Sequence, residues 1–460
     1  MSLKADDTIA AIATAPGAGG VGIVRVSGPQ AVAIVEPLFR AKGSRKLGDC
    51  ESHRMVFGWI EKDAQPVDEV LAVVMRAPHS YTCQDVVEVH GHGGTLVTRT
   101  ILELILAGGA RMAQPGEFTM RAFLNGRLDL TRAEAVQDLV SARSGWGLRV
   151  SANQLRGRLY GEIQSLREDV AHVAALVSAG IDFPEEDVVF AHREDITKRL
   201  GRVESRLAAL LSSAAGGRRL REGLGVAIVG RPNVGKSSLL NALLKENRAI
   251  VTDIPGTTRD TLEEMLDLGG LAVRLIDTAG IRDTEEPIER EGIARTRRAV
   301  DEADLVLAVL DGSAPLEDED RQVLAIAPET STVIVVNKCD RIPGGAPAWI
   351  GELRDRPWVG TSALNGAGLQ ELETRIRHWA VDDERPLLEH AVLTNLRQQD
   401  SAQRALTSAR SALDAIAQGL GDELIAVDLS RVLDALGDIV GETTADDLLN
   451  RIFAEFCIGK

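Results

Sequence analysis

Eight consecutive residues, Gly230-Arg-Pro-Asn-Val-Gly-Lys-Ser237, have the types and spacing to hold a polyphosphate. Glycine at each end lets backbone N–H groups turn onto phosphate oxygens, Lys236 can reach the β and γ phosphates, and the Ser237 hydroxyl can ligate Mg²⁺. Asn233, Val234, Gly235 and Ser238 complete the cradle. The apolar run Val226–Val229 precedes it, so the stretch reads as strand, phosphate loop, then helix, the context this chemistry requires.

A second group selects the base. Asn337-Lys338-Cys339-Asp340 follows the apolar run Thr332–Val336, at the end of a buried parallel strand where open α/β sheets bind ligands. The tetrapeptide looks like the guanine-specificity signature of GTPases. A carboxylate at Asp340 can accept both N–H groups on the guanine edge, and adenine would leave it unpaired. Ser362 and Ala363, after Trp358-Val-Gly360, resemble the last base-contacting loop of such enzymes.

A third group bears on hydrolysis. Asp277-Thr278-Ala279-Gly280 ends the run Leu271–Ile276; Asp277 would hold Mg²⁺ through water and the Gly280 N–H would sense the γ-phosphate. Ras-like enzymes place a Gln next to orient the attacking water, whereas this chain has Ile281, which can neither donate nor accept. Another device must position the water. Asn233 and the backbone carbonyls of Thr252-Asp253-Ile254-Pro255-Gly256-Thr257-Thr258 could form an all-oxygen nest for K⁺, placing positive charge where an arginine finger acts, with Thr258 as second Mg²⁺ ligand. Glu289 could hold the water through a bridging water; alternatively Glu285, Glu286, Glu289 and Glu291 form a solvated helix start.

Composition sets the outer limits. At 460 residues the chain has room for about three domains at ~150 residues each. A net charge of −16 gives no long-range attraction to RNA or anionic membranes, so any nucleic-acid contact must be local. The Arg218, Arg219 and Arg221 cluster is one candidate, with a solvated linker as the plainer reading. The polar N-terminus and the lack of a ~20-residue apolar span support neither secretion nor a membrane helix, and a cytoplasmic protein is expected. The four cysteines, at 50, 83, 339 and 457, form no CxxC pair. His90-Gly-His92 is read as a structural turn, without a metal.

Four segments are expected. Residues 1–124 mix β-rich runs such as Gly22–Val26 and Val67–Met75 with helix signals, an α+β domain. Gly17-Ala-Gly-Gly-Val-Gly22 matches GxGxxG, but a strand rather than a helix follows, so no dinucleotide fold is assigned. Residues 125–215 turn helical, with Thr131-Arg-Ala-Glu134 resembling a capping box and Ile181–Asp187 an acidic turn. Residues 216–380 hold the GTPase signals after Gly216-Gly217, and helical texture returns over 381–460. The expected fold is therefore multidomain α/β: an N-terminal α+β domain, a discontinuous all-helical domain, and an inserted Ras-like P-loop GTPase domain.

Over nearly its full length the chain resembles the MnmE/TrmE family of bacterial tRNA-modification GTPases. Pro16–Arg25, Pro115-Gly-Glu-Phe118, Arg121–Leu130, the GTPase motifs and the terminal Cys457-Ile-Gly-Lys460 carry the resemblance. It implies that a flavoprotein partner, called GidA or MnmG and carrying FAD, joins the chain in a heterotetramer. Together they install a (carboxymethyl)aminomethyl group on C5 of the wobble uridine of certain tRNAs, the methylene coming from a tetrahydrofolate derivative in 5,10-methylene or 5-formyl form. It further implies a homodimer formed by the folate-binding N-terminal domain, with Arg25, Glu88, Arg127 and Lys460 at the folate. Arg127 stands where the family pattern has lysine. Asn233 with the carbonyls of Thr252, Ile254 and Thr257 would coordinate K⁺, Ser237 and Thr258 would hold Mg²⁺, and Glu289 would orient the water as GTP draws two GTPase domains together. Cys457 matches an important cysteine of the family, and its thiolate could attack C6 of the uracil ring; a packed structural cysteine is the alternative. The rival reading, a ribosome-assembly GTPase binding rRNA, shares the phosphate-loop Asn but lacks support from any basic appendage or GxxG clamp.

Overall fold

The computed structural model describes residues 7–43, 46–182, 189–246, 265–276, 289–342, 346–353, 356–380 and 389–460. Its strands are β1 Ile9–Ile12, β2 Gly19–Ser27, β3 Phe39–Ala41, β4 Met55–Lys62, β5 Gln65–Met75, β6 Val86–Gly93, β7 Arg111–Met112, β8 Leu224–Val229, β9 Met265–Leu268, β10 Leu271–Ile276, β11 Leu305–Asp311, β12 Thr332–Asn337 and β13 Trp358–Gly360. Its helices are α1 Ala31–Val35, α2 Thr95–Ala107, α3 Glu117–Leu124, α4 Leu130–Ser141, α5 Gly145–Leu155, α6 Arg158–Asp182, α7 Val189–Glu222, α8 Lys236–Glu246, α9 Glu289–Glu302, α10 Asp318–Ile326, α11 Leu369–Ala380, α12 Leu396–Ala417, α13 Asp422–Val440 and α14 Asp446–Ala454. They form two compact units, one of residues 1–137, 163–168 and 430–460, the other of 138–162 and 169–429.

The first unit is built on a seven-stranded sheet in the order β3-β4-β5-β6-β2-β1-β7, antiparallel except where β1 meets β7. Period-two alternation sends Val24, Val26, Val70, Ala72, Val74, Val87 and Val89 to one face, where they bury against Ile101, Leu102 and Ile105 of α2. The opposite face leaves Met55, Phe57, Trp59 and Leu71 exposed. Segment 430–460 packs within this unit. Phe453 of α14 explains why: it is buried with its ring 6.2 Å from Phe123 and 5.3 Å from Phe456. Helix α4 is capped by Asp129, whose Oδ1 accepts from the N–H groups of Thr131 (3.0 Å) and Arg132 (3.2 Å). The cap thus lies two residues before the expected Thr131, whose hydroxyl is buried in a bond to the same carboxylate.

The second unit holds a six-stranded sheet in the order β13-β12-β11-β8-β10-β9, parallel throughout except for the β9–β10 hairpin. Strands β8, β11 and β12 are almost continuously apolar, as strands covered on both faces must be. The boundary expected at Gly216-Gly217 falls inside α7, which continues to Glu222. Gly217 serves packing instead of a break: a Cβ there would lie 2.3 Å from the Leu393 carbonyl oxygen. Arg219 stacks 4.5 Å from the Trp379 ring centroid and Arg221 pairs with Asp138 at 2.6 Å, so these two arginines are spent on packing and do not form a free basic cluster. The helices grip the sheet a second time where the Trp146 N–H at the start of α5 donates to Gly270 O (3.0 Å) in the β9–β10 turn. Of the expected acidic turn Ile181–Asp187, residues 183–187 lie outside the described residues.

Candidate functional site: a nucleotide cradle and an arginine-rich cluster

Strand β8 ends at Val229 and α8 begins at Lys236, so the loop between them carries the phosphate-binding residues at the carboxyl edge of the sheet. Three side chains set its shape. Asn337, 2% exposed, donates from Nδ2 to Val234 O (2.9 Å) and accepts at Oδ1 from the Ala363 N–H (3.1 Å), tying phosphate loop, β12 and final loop together. Lys338, in left-handed backbone at φ +63°, donates from Nζ to Asn233 O (2.8 Å) and Asp311 Oδ2 (2.5 Å). Arg231 donates from Nε to Asp320 Oδ2 (3.1 Å) and pairs with Glu317 (3.1 Å), both at the N-terminus of α10. Asp320 is buried, so this pair clamps the first limb of the loop to a fixed point. Nothing in the sequence marked Arg231 or Asp320 as partners.

Gly235 sits at φ +99°, and a Cβ there would lie 2.2 Å from Asn337 Nδ2; glycine is required both by the turn and by the close approach. Asn233 also adopts a left-handed conformation, φ +64°. Lys236 donates to the carbonyls of Gly230 (2.7 Å) and Arg231 (2.8 Å), and burial pushes its pKa below the usual lysine value. Ser237 and Ser238 lie in the first turn of α8. Burial raises the Asp311 pKa, but the hydrogen bonds from Lys338 and Ser313 outweigh it and hold the carboxyl below its ordinary value. Asp340 is exposed in the short helical turn Cys339–Arg341, and none of the described residues bonds its carboxylate. Ser362 is buried, its N–H donating to Ala367 O (2.9 Å). Thr252, Asp253, Ile254, Pro255, Gly256, Thr257, Thr258, Asp277, Thr278, Ala279 and Gly280 lie outside the described residues. The backbone of Glu289 opens α9, and its side chain lies outside them too.

A second cluster lies in the first unit. Arg25 on β2 faces Glu88 on its partner strand β6, and Arg25 Nε donates to Glu88 Oε1 at 2.7 Å. The Arg25 guanidinium lies 5.3 Å from the Tyr81 ring centroid and 5.6 Å from that of Phe118, while Arg127 stacks on Tyr81 at 4.7 Å. Residues 457–460 fold back here: Arg25 Nη1 donates to Gly459 O (3.2 Å) and Phe118 N–H to Lys460 O (3.1 Å). Cys457 is exposed, its carbonyl accepting from the Gly116 N–H (3.4 Å). His90 lies on β6 and not in a turn, correcting the reading of His90-Gly-His92, and its Nε2 pairs with Glu88 Oε2 at 3.0 Å. Strand alternation from Glu88 was the signal that could have found it. His92 pairs with Asp68 at 2.7 Å, a bond that raises its pKa.

Comparison with known proteins fits this architecture. The profile of the MnmE helical domain matches residues 130–457, and that of the GTP-binding protein TrmE N-terminus matches residues 8–127. The chain belongs to the MnmE family. It is 47% identical over 99% of its length to a protein of Moorella thermoacetica and 46% identical over 99% to one of Geobacter sulfurreducens, each named tRNA modification GTPase MnmE and covered over 100% and 99% of its own length. Among solved structures, the G domain of the T. maritima FeoB iron transporter is 26% identical, covering 34% of this chain and 98% of that one with a TM-score of 0.24. The fold is that expected: an N-terminal TrmE domain, a helical MnmE domain and a GTPase domain whose phosphate loop follows a strand of a mainly parallel sheet, and the chain is a GTP hydrolase. No helix among the described residues is long and apolar enough to cross a membrane.

Proposed function

We propose that this protein is a K⁺-dependent GTPase, activated by pairing of its GTPase domains in a homodimer. With a flavoprotein partner it adds a (carboxymethyl)aminomethyl group to C5 of the tRNA wobble uridine, using a folate one-carbon unit. The observation that carries the reading is the presence, in one chain, of the guanine-type nucleotide cradle and the Arg25–Glu88–Arg127 cluster.

In the cradle, Lys236 must leave the Gly230 and Arg231 carbonyls and turn onto the β and γ phosphates, regaining as it does so a partner for its buried charge. Asp340 receives the guanine edge. Asn233, preset in left-handed backbone and with its carbonyl held by Lys338, would supply its side-chain oxygen. With the carbonyls of Thr252, Ile254 and Thr257 it would coordinate a K⁺ ion, which would neutralise charge developing during hydrolysis. Ser237, Thr258 and, through water, Asp277 would hold Mg²⁺, and Glu289 would orient the attacking water. In the second cluster the stacked guanidinium groups of Arg25 and Arg127 and the Lys460 ammonium suit a flat heteroaromatic ring with a carboxylate tail, as in tetrahydrofolate, which would carry the one-carbon unit. The exposed face bearing Met55, Phe57, Trp59 and Leu71 suits a second copy of the chain. Cys457, exposed beside the cluster, could serve as nucleophile toward the uracil ring.

The test compares GTP hydrolysis in KCl and NaCl at matched ionic strength across protein concentration, with Glu289→Ala alongside, and assays the wobble base in a deletion strain. The expected result is strong K⁺ activation that rises with concentration, a mutant that binds GTP without hydrolysing it, and an unmodified wobble base in the deletion. Equal rates in both salts with normal Glu289→Ala activity would overturn the hydrolysis mechanism, and an intact modification in the deletion would overturn the tRNA reading.

A further inference from the structure

The chain carries 68 acidic residues against 52 basic ones, yet residues 139–161 contain four arginines and no Asp or Glu. This stretch spans α5 and both its flanks. Trp146, Val150, Ser151 and Gln154 bury the inner side of the helix, leaving Leu148, Arg149 and, one residue past its end, Arg156 exposed. Arg149 and Arg156 are seven residues apart, two helical turns, so they share one face about 10 Å apart along the axis. Arg143 stands exposed just before the Ser144 cap. The guanidinium groups of Arg143, Arg149 and Arg156 bond no described residue, whereas Arg158 is spent on the Glu389 carbonyl. The acids that bound the stretch are committed elsewhere: Asp138 to Arg221 at 2.6 Å and Glu162 to Arg206 at 2.8 Å. Unpaired arginines along one helix face, with the flanking carboxylates neutralised, make a local positive surface on an acidic protein.

We propose that Arg143, Arg149 and Arg156 form a docking surface for the phosphate backbone of structured RNA, a contact that rests on the tRNA reading given above. Arginine forks match phosphate oxygens in pairs, and each phosphate neutralised releases a condensed counterion. The surface supplies affinity and register without reading sequence. An acidic protein partner is the competing occupant, and the experiment separates the two.

Binding of an unmodified tRNA transcript to the full chain is measured by fluorescence anisotropy from 50 to 200 mM KCl. The proteins are wild type, the double variant Arg149→Gln/Arg156→Gln, and the control Arg99→Gln, which removes an exposed arginine of α2. Unfolding midpoint and circular dichroism establish that the double variant is folded. The double variant is expected to bind at least tenfold more weakly at 50 mM salt, with the slope of log K against log salt shallower by about 1.5; the control should match wild type in both. An unchanged slope and affinity in the double variant overturns the surface, as does loss of flavoprotein binding with tRNA binding intact. A wild type that binds no tRNA overturns the surface and the tRNA reading together. If the slope changes as expected but the wobble base proves unmodified by this protein, the surface stands and only the modification reading falls.

Discussion

The Arg231–Asp320 pair makes a quantitative claim about the nucleotide cradle. Arg231 Nε lies 3.1 Å from Asp320 Oδ2, with the two side chains 15% and 2% exposed. Removing one partner of a buried pair typically costs about 3–5 kcal/mol because the other charge is stranded. Here Arg231 keeps Glu317, which is 54% exposed and therefore a weaker partner, so Asp320→Ala should forfeit about 1.5–3 kcal/mol of the ordering of the loop's first limb. If the nucleotide must restore that order on binding, the loss appears as GDP affinity lowered by about 10- to 100-fold. Fluorescent-GDP titrations of Asp320→Ala, Arg231→Ala and the double variant test this. Each single substitution should weaken binding by a similar factor, and the double variant should be little worse than either, a coupling of more than 1 kcal/mol. Affinities within about twofold of wild type in both single variants, or fully additive losses, would refute the claim that this pair sets the loop.

Two further outcomes follow from the same geometry. Because burial lowers the Lys236 pKa and a bound phosphate would raise it again, GDP binding at alkaline pH should take up a proton, and affinity should fall as pH rises above the lowered value; titration calorimetry in buffers of different ionisation enthalpy reads both, and a pH-independent affinity would contradict it. Gly459→Ala should release residues 457–460, since the new Cβ would lie 2.4 Å from Ile12 O at a left-handed φ of +93°; binding of 5-formyltetrahydrofolate should weaken at least tenfold while GDP affinity stays at wild type.

What the sequence revealed divides along a physical line. The phosphate loop and the Asn337–Asp340 motif were legible because their chemistry is carried by residues adjacent in the chain, directly after apolar runs that could only be buried strands. Strand β5 and the helical texture were legible from period. The Arg231–Asp320 pair spans 89 residues and the Arg25–Gly459 contact 434, and neither leaves a periodic trace, so only the folded chain reveals them. Gly216-Gly217 misled because glycine marks either a break or a close approach, and composition does not distinguish them. Segment 430–460 has a helical texture that period reveals, whereas the contact that seats it, Phe453 against Phe123, leaves no trace in the sequence.

The contact between Arg25 and Gly459 also orders events in time. A chain is made from its N-terminus, so β2 and β6 can pair early, yet the carbonyl that satisfies Arg25 is synthesised only after the whole nucleotide-binding unit has been. While it waits, Arg25 has Glu88 and the Tyr81 and Phe118 rings but not its last partner. The compact insert can shorten the search by folding first, bringing the two ends of a long loop closer than a disordered chain would. A product interrupted between the end of the GTPase domain and residue 457 would therefore retain a cradle able to engage nucleotide while lacking a finished second cluster. Completion of that cluster is a molecular record that translation ran through the GTPase domain and beyond it.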